Sequence, residues 1–543
     1  MSIFSIGVSG LNAAQNALAT TSNNISNVYT PGYNRELVIL GEGAGSGGVQ
    51  VNDIQRQFNQ FVAEQLNSAT SSSSALATYQ GQVSQIDNLL ADRDAGLAPL
   101  MQNFFSSLED LASAPSDPAA RQGLLGTADT LTAQFRAFDG YLQDMQRGIN
   151  GQISDEVTQI NNATEQLATL NREITLARAR TGEAPNGLQN QRDQLVSELS
   201  ERMNVTLDVQ DGKTYNISLP NGQPLVSGTN HYRLEAMDSP ADPQRTVLGY
   251  RDSSGGLVAL PENTVDGGTL GGLMQFRAET LDKTQNQIGQ LAVSLATRFN
   301  EVHREGTDLN GDPGQDVFSI GEPRAYSDER NPSGAEIASA TLDTDNLAAL
   351  SATDYSIRFN GAGEPEITRK DSGQRLAAAE FDWDPAARTL DVGGVSLEFD
   401  IAPSEGDRFE IQPVRRAAAD MRSEISDLDQ IAAGTSAGSG DNTNALALQE
   451  LQNEGMVGGK ATLNQAYAGM VSDVGNRSNI VKVNLDARQG LTDQLEAVQQ
   501  SESGVNLDEE AANLLRYQQF YSANARVIDT ASTVFDTILG LRN

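Results

Sequence analysis

The sequence contains no cysteine, only two histidines and a single tryptophan among its 543 residues. The absence of cysteine excludes disulfide bonds, thiolate metal sites and a cysteine nucleophile, although it is compatible both with the cytosol and with export. His231 and His303 lie far apart and neither belongs to a His-Glu-x-x-His zinc pattern. We therefore expect both histidines to be surface or packing residues.

Positive charge is also scarce. The chain has 37 Lys and Arg residues against 72 Asp and Glu residues, which gives a formal net charge of −35. Binding to nucleic acid requires clusters of Lys and Arg that neutralise phosphates, and the sequence has no basic stretch. The charge instead favours a soluble chain that repels other copies of itself before assembly. No nucleic-acid partner is expected.

Long apolar runs are missing as well, because no stretch approaches the roughly 18–20 residues needed to span a bilayer. The first charged residue is Arg35, so the start has neither the basic n-region nor the continuous apolar h-region of a secretory signal. The sequence predicts no membrane insertion and no cleaved signal peptide. A protein of this kind that leaves the cell needs another export route.

The first thirty residues show a helical pattern with a narrow apolar stripe. Large apolar residues recur every seven positions, and the other face carries Ser, Asn, Gln and Thr without any charge. This spacing is typical of helices that pack side by side, and a lone helix of this composition would be marginally stable. The series is Phe4, Leu11, Leu18 and Ile25, with Gly7, Ala14, Thr21 and Val28 at the companion positions.

A second stripe of the same spacing occupies the last forty residues and predicts a helix from Val505 to Leu541. Three acidic residues, 508–510, fall in its first turn, where the helix dipole favours negative charge. Either terminal helix could fold back on its own domain, but stripes at both ends favour pairing of the termini. The residues of this stripe and its flank are Leu507, Leu514, Tyr517, Tyr521, Ile528 and Phe535.

Helical and strand patterns occupy separate stretches between the termini. Apolar residues at helical spacing predict helices over 141–180, 188–203, 270–302, 417–431 and 444–500, and the Gly and Pro cluster at 182–187 predicts a break. Alternating residues with turn signals predict β-structure over 205–268 and 318–414. The turn signals are Asn221-Gly222, Asn360-Gly361 and Gly393-Gly394.

These patterns predict an α+β multidomain protein. Its long terminal helices pair as a coiled coil, a discontinuous helical bundle forms the next layer, and a β-rich region is inserted in the middle. The predicted terminal domain comprises 1–60 and 501–543, the helical domain 61–202, 269–306 and 415–500, and the β-rich part 203–268 and 307–414. Whether the β-rich part forms one domain or two stays open.

Segments that resemble metal or nucleotide motifs are incomplete. The stretch Asp308–Asp316 has oxygen ligands at alternate positions, but Pro313 and Ser319 stand where an EF-hand loop requires glycine and glutamate. The segment Gly458-Gly459-Lys460 and the glycine-rich run Gly41–Gly48 lack the spacing of phosphate-binding loops. We expect a tight polar turn, a break between helices and a loop at these places, and no catalytic, cofactor-binding or metal-binding residues.

A string of residues at the end of the first helix, from Ala19 to Arg35, resembles the N-terminal signature of flagellar rod, hook and hook-associated proteins. Within it, Pro31-Gly32 ends the helix and turns the chain. The positions of this string that the resemblance assigns to an assembly surface are Asn23, Asn24, Asn27, Gly32 and Tyr33.

Three further strings, at 184–200, 299–318 and 513–528, resemble the hook-associated members rather than the rod and hook members. The resemblance implies a structural subunit that joins hook to filament and assembles by packing of its terminal helices. It also implies flagellar type III export and an extracellular location. The implied partners are other copies of the chain, the hook protein, hook-associated protein 3, and an export chaperone at the C-terminal region. A hook or distal-rod subunit, a secreted coiled-coil adhesin and an enzyme are the alternatives.

Overall fold

The computed structural model describes residues 3–43, 47–92, 96–182, 185–211, 214–252, 254–343, 349–436, 438 and 440–540. Long helices enclose the chain at both ends, and antiparallel sheets lie between them in sequence. A short π-helix, Arg277–Leu281, joins the helices Gly268–Phe276 and Asp282–Arg304 without a break. The α-helices are α1 Ile3–Ser26, α2 Gln60–Ala91, α3 Leu97–Ser113, α4 Pro118–Thr181, α5 Asn186–Arg202, α6 Gly268–Phe276, α7 Asp282–Arg304, α8 Thr443–Glu450, α9 Leu463–Ser503 and α10 Leu507–Gly540.

The strands pair antiparallel. In order along the chain they are β1 Glu36–Glu42, β2 Val49–Arg56, β3 Thr206–Gln210, β4 Thr214–Ser218, β5 Pro224–Ser227, β6 Asn230–His231, β7 Leu234–Ser239, β8 Asp242–Arg251, β9 Leu257–Ala259, β10 Phe318–Ser319, β11 Arg324–Ser327, β12 Ile337–Leu342, β13 Tyr355–Phe359, β14 Pro365–Arg369, β15 Phe381–Asp384, β16 Thr389–Val392, β17 Val395–Phe399, β18 Arg408–Gln412 and β19 Arg422–Ser423. The larger sheets have the orders β3-β4-β5-β6, β7-β8-β9, β11-β18-β13-β14 and β12-β17-β16-β15.

Local sequence signals account for the ends of the long helices. The side chain of Asn59 accepts hydrogen bonds from the first backbone N–H groups of α2, and that of Asp117 does the same before Pro118 at the start of α4. Gly182, at φ 76°, closes α4 in the left-handed conformation that glycine adopts without strain. The helix predicted over 141–180 is the C-terminal part of a longer, 64-residue helix that begins at Pro118.

The buried apolar residues form two large clusters. The main cluster joins helices α2 to α9 with strands β4, β5, β7 and β8, and an aromatic group of Phe104, Phe299 and Phe318 lies within it. The second cluster lies within the sheets of 324–412, where Phe359, Phe399 and Phe409 contact one another. The two β-rich stretches thus have separate cores, while the predicted domain limits remain a proposal.

The helix predicted over 417–431 is wrong. This stretch consists of the 3-10 turns Ala417–Asp420 and Leu428–Gln430 on either side of β19, which pairs with β10. The buried guanidinium of Arg121 donates hydrogen bonds to the carbonyl oxygens of Leu428, at 2.7 Å, and Ile431, at 3.0 Å. These carbonyls are bound by a side chain of α4, so they do not continue a helical hydrogen-bond series.

The predicted terminal segment 1–60 is also not helical throughout, because β1 and β2 form a hairpin after α1. Its strands flank the glycine-rich run, of which residues 44–46 lie outside the described residues, as do Glu183 and Ala184 of the predicted break. The predicted hairpin turns at 221–222 and 393–394 are confirmed, with Gly222, Gly393 and Gly394 at positive φ. Across the described residues, no helix combines the length and apolarity that crossing a membrane requires.

Candidate assembly site: the terminal helix pair

Helices α1 and α10 pack against each other along much of their length. The buried face of α1 consists of small residues that alternate at intervals of three and four, as a single helix face requires. The large apolar residues of the predicted stripe lie beside this face. Leu11, Leu18 and Ile25 are half-buried and Phe4 is exposed. The buried residues at this spacing are Gly7, Gly10, Ala14, Ala17, Thr21 and Asn24, and Ala13 and Thr20 are buried beside them.

Two glycines let the helices approach closely. A Cβ atom added to Gly7 would lie 2.7 Å from Cγ1 of Ile528, and one added to Gly10 would lie 2.1 Å from Oδ1 of Asn524. Real Cβ atoms do not tolerate such separations. Side chains of α10 therefore lie directly against the α1 backbone at these two glycines, whereas the sequence analysis emphasised the larger residues of α1.

A polar cluster closes the base of the pair, and we call it the basal cluster: Asn24, Tyr33, Arg35, Glu36 and Glu510. The amide of Asn24 donates to Oε2 of Glu510 at 3.1 Å and to the carbonyl of Glu36 at 2.9 Å, and its oxygen accepts from the Tyr33 hydroxyl at 2.8 Å. Arg35 forms an ion pair with Glu510 at 2.7 Å. Burial, together with the charges of Glu36 and Glu510, raises the pKa of Tyr33 above its usual range, so the phenol stays a hydrogen-bond donor.

The signature loop joins the basal cluster to the helical body. Gly32 has φ 72°, and a Cβ atom there would lie 2.8 Å from Oε1 of Gln194 on α5. The side chain of Asn34 donates to Oδ1 of Asn190, also on α5, at 2.8 Å. The remaining signature residues support the turn itself, because the Asn27 side chain donates to the Asn23 carbonyl at 2.9 Å. This geometry explains why the string needs amides, a glycine and an aromatic residue at fixed places.

Several large apolar side chains of α1 and α10 are left uncovered by the fold. Of the predicted stripe on α10, Leu507, Tyr521 and Phe535 are exposed, while Leu514, Tyr517 and Ile528 are half-buried. Other exposed apolar residues of the two helices are Ile3, Ile6, Leu515, Phe520, Val527, Val534, Ile538 and Leu539. An apolar surface of this extent on a chain of charge −35 indicates a contact surface.

The sequence analysis named Gly7, Ala14 and Thr21 only as companions of the apolar stripe, and it did not assign Gly10, Ala17 or Glu510 to this site. The small buried face of α1 could have been found in the sequence, because small or short polar residues recur there at intervals of three and four, at positions 7, 10, 14, 17, 21 and 24. Nothing in the sequence distinguished Glu510 from the adjacent acidic residues, because its partner Arg35 is almost the whole chain away.

The residues considered as possible metal ligands in the sequence, Asp308 and His303, have structural roles in the fold. Oδ1 of Asp308 accepts from the backbone N–H groups of Asn310, at 2.8 Å, and Asp312, at 2.9 Å, so this carboxylate closes a turn. His303 is buried, with Nδ1 2.6 Å from the carbonyl oxygen of Gln315 and Nε2 accepting from the N–H of Ala432 at 2.9 Å. In the part of the chain that the structure describes, no group of three or more His, Asp or Glu side chains is arranged to hold a metal ion.

Three protein families match the chain, and two of them match its terminal helices. The flagella basal body rod protein family matches residues 4–34, and the flagellar basal body rod FlgEFG protein C-terminal family matches residues 499–541. The flagellar hook-associated protein FlgK helical domain matches residues 83–318. The terminal pair and the helical body thus define a structural protein of the bacterial flagellum.

The curated relatives narrow this class. The chain is 41% identical to flagellar hook-associated protein 1 of Salmonella typhimurium and to that of Escherichia coli, over 100% of each chain. The structure of the flagellar hook junction protein FlgK from Burkholderia pseudomallei superimposes with a TM-score of 0.75 at 27% identity, covering 81% of this chain and all of that one. The chain belongs to the family of flagellar hook-associated protein 1. It is a structural subunit at the junction of hook and filament.

Proposed function

We propose that the subunit enters the flagellum through its terminal helix pair, whose exposed apolar residues pack against the terminal helices of neighbouring subunits. The observation that carries this proposal is the row of exposed apolar side chains on α10, in which Phe535 is 62% and Ile538 60% exposed. Burying a large apolar side chain stabilises a contact by about 1.5–3 kcal/mol. A row of such residues therefore supplies a strong driving force once copies are brought together.

The proposed neighbours are other copies of the chain, the hook protein on one side and hook-associated protein 3 on the other. Family membership supports these partners. Before assembly the same apolar row needs protection from aggregation, and an export chaperone bound to the C-terminal region would provide it.

Export is proposed to follow the flagellar type III route to the extracellular end of the hook, with the N-terminal segment retained. The support is that α1 supplies one half of the terminal pair, so cleavage after it would destroy the assembly site. Mass spectrometry of the protein from isolated flagella tests this, since a mature N-terminus beyond residue 26 would contradict it. The proposal includes no enzymatic role, in line with the structural roles of the relatives.

The experiment that tests the assembly role is electron microscopy of a deletion strain that carries variant genes. The chain with Leu515, Phe535 and Ile538 changed to Gln should give hooks without filaments and shed filament subunits into the medium. The matched control changes the exposed polar residues Gln518 and Gln519 to Ser and should restore filaments. Normal filaments with the apolar residues replaced, or with residues 1–30 and 510–543 deleted, would contradict the proposal. Surface binding by cells without flagella would favour the adhesin instead.

A further inference from the structure

The loop between β13 and β14 holds an asparagine in a distinctive set of hydrogen bonds. Oδ1 of Asn360 accepts from the backbone N–H of Ala362 at 2.9 Å and from that of Glu364 at 3.1 Å. The N–H groups of Asn360 and Gly363 donate to backbone carbonyl oxygens of the same loop. The N–H of Gly361 is the exception, because it donates to no group of the described residues, and Gly361 is exposed.

This arrangement places a free nucleophile next to a polarised carbonyl group. The nitrogen of Gly361 can bond to Cγ of Asn360 and close a succinimide ring, while an electron pair of the carbonyl moves onto Oδ1. The two N–H groups that already point at this oxygen stabilise the negative charge that develops there. The Gly361 nitrogen has no hydrogen bond to lose in this step and no side chain beside it to hinder the approach.

We propose that Asn360 is a site of spontaneous deamidation in the folded protein, with water as the other reactant. The Gly361 nitrogen gives its proton to water as the new C–N bond forms. The bond between Cγ and Nδ2 then breaks, and Nδ2 takes up a proton and leaves as ammonia. Water next opens the ring at one of its two carbonyls, and the Gly361 nitrogen regains a proton. Opening at Cγ gives aspartate, whereas opening at the backbone carbonyl gives isoaspartate.

The other Asn-Gly pairs of the chain, which begin at positions 150, 186, 221 and 310, are restrained by the fold. The first lies inside α4, where helical hydrogen bonds occupy the backbone N–H groups. In the second, the side-chain amide donates to a carbonyl oxygen of β2 at 2.7 Å. In the last two, the N–H groups of Gly222 and Gly311 donate to backbone carbonyl oxygens at 2.9 and 3.2 Å. The fold therefore favours the reaction at Asn360 over the same dipeptide elsewhere.

The expected modification changes the surface of the outer β-rich stretch and leaves its core intact. An aspartate at 360 adds a negative charge but keeps an oxygen that accepts from both N–H groups. Isoaspartate lengthens the backbone and should break the loop, whose Gly363 carbonyl accepts from Nε1 of Trp383 at 3.1 Å. Because the ammonia is lost, the modified fraction should increase with the time since each copy was made.

The test is peptide mass spectrometry of the purified full chain after incubation in neutral buffer, folded and, in parallel, unfolded in urea. In the folded chain, replacement of the amide NH₂ by OH should be at least tenfold faster at Asn360 than at Asn221. It should also be no slower at Asn360 than in the unfolded chain, where all the Asn-Gly pairs should react at similar rates. Equal rates at Asn360 and Asn221 in the folded chain, or a reaction at Asn360 that folding slows, would overturn the inference.

A substitution at the attacking residue tests the route itself. Gly361 does not have a positive φ, and an added Cβ would lie 3.3 Å from Oε2 of Glu405, at the end of a flexible side chain, so alanine fits there. Gly361→Ala should slow deamidation of Asn360 at least tenfold and leave Asn221 unchanged. Ala362→Ser, which keeps the N–H donor, is the matched control and should react like the wild type. Native Trp383 fluorescence checks that both variants fold, and an unchanged rate in Gly361→Ala would contradict the proposed route.

Discussion

Glu509 and Glu510 are adjacent and both contact Arg35, but the fold places them in different environments. The side chain of Glu510 is 1% exposed and also accepts from Asn24, whereas that of Glu509 is 58% exposed. An exposed ion pair contributes about 0–1 kcal/mol, but removing one partner of a buried pair costs about 3–5 kcal/mol. Glu510 is therefore the carboxylate that fixes α10 to the signature loop.

Replacement of Glu510 by Ala should loosen the terminal pair, because Arg35 and Asn24 lose their shared acceptor. Hydrogen exchange of the amides in α1 and α10 should accelerate at least tenfold, while exchange in α4 stays the same. Glu509→Ala is the matched control and should change exchange little. Equal effects of the two substitutions would contradict the role assigned to burial.

His303 should make the helical body sensitive to acid. Burial lowers the pKa of this imidazole to about 4, although its bond to the Gln315 carbonyl acts in the opposite direction. The unfolded chain binds this proton near pH 6.5, so stability is full above that pH and falls as the pH drops toward 4. The loss from this residue is on the order of 3 kcal/mol.

Urea unfolding at pH 7 and pH 4.5 measures this effect. His303→Gln removes the titrating group, so the variant should be less stable than the wild type at pH 7 but lose less stability on acidification. His231→Gln, at the other histidine, is the control and should retain the pH dependence of the wild type. Parallel losses in the wild type and the His303 variant would contradict the prediction.

At the scale of the element, the packing of α1 against α10 depends on glycines in α1, which have no side chain to keep the helices apart. The helix propensity of glycine is poor, so Gly7 weakens α1 taken alone. The missing side chain at Gly7 in turn leaves room for Ile528 of α10 to lie against α1. Close approach of α1 and α10 is a property of the two helices together and cannot be improved by optimising either one.

Gly7→Leu should therefore separate the helices although leucine is a better helix former. We expect fewer protected amides in residues 3–26 by hydrogen exchange and a lower yield of filament-bearing hooks. Gly123→Leu is the matched control, since Gly123 is an exposed glycine of α4 with open space beside it, and it should be neutral or stabilising. If Gly7→Leu loses no more protection than Gly123→Leu, α1 and α10 do not need the close approach.

These elements also show what the sequence could predict. Repeats of seven identified α1, α10 and the continuous helix of α6 and α7, because long periodic segments carry many agreeing positions. Apolar spacing alone could not exclude a helix over 417–431, where the buried Arg121 binds the backbone carbonyls. The hairpin of β1 and β2 was missed because its turn lies in a long glycine-rich run, which carries no specific turn signal.

At the scale of the molecule, the β-rich stretch 324–412 is held to the helical body by buried ions. Arg415, which follows β18, pairs with Asp354 and lies 3.1 Å from Asp282 at the start of α7. Asn286 of α7 also donates to Asp354 at 3.0 Å. Burial raises the pKa of Asp282, but attraction to Arg245 and Arg415 outweighs it and lowers the pKa to about 2. Directional bonds of this kind fix an orientation more than they add stability.

The sequence predicted the nested order of helical and β-rich stretches but not this joint. Local patterns show which residues are apolar, so they could predict that the strands of 324–412 have a core of their own. The partners Asp282, Asp354 and Arg415 are distant from one another in the chain, and each resembles an ordinary surface charge in the sequence. Only the three-dimensional structure brings them together and buries them.

Arg415→Met should release the outer β-rich stretch from the body without unfolding it. The two aspartates lose a shared partner, so we expect a loss of about 3–5 kcal/mol at this joint. Small-angle X-ray scattering should show a broader distribution of distances. The single tryptophan, Trp383, is half-buried and packs on Phe359 and Phe399 of the separate core, so its fluorescence should stay that of the folded state.

Arg358→Met, at an exposed position on β13, is the matched control for this change and should scatter like the wild type. If Arg415→Met also scatters like the wild type, the buried ions do not set the orientation of the outer stretch. If instead its Trp383 fluorescence becomes that of the unfolded chain, the separate core is not stable without the joint. The expected combination, altered scattering with native fluorescence, requires both an independent core and an orientation fixed by Arg415.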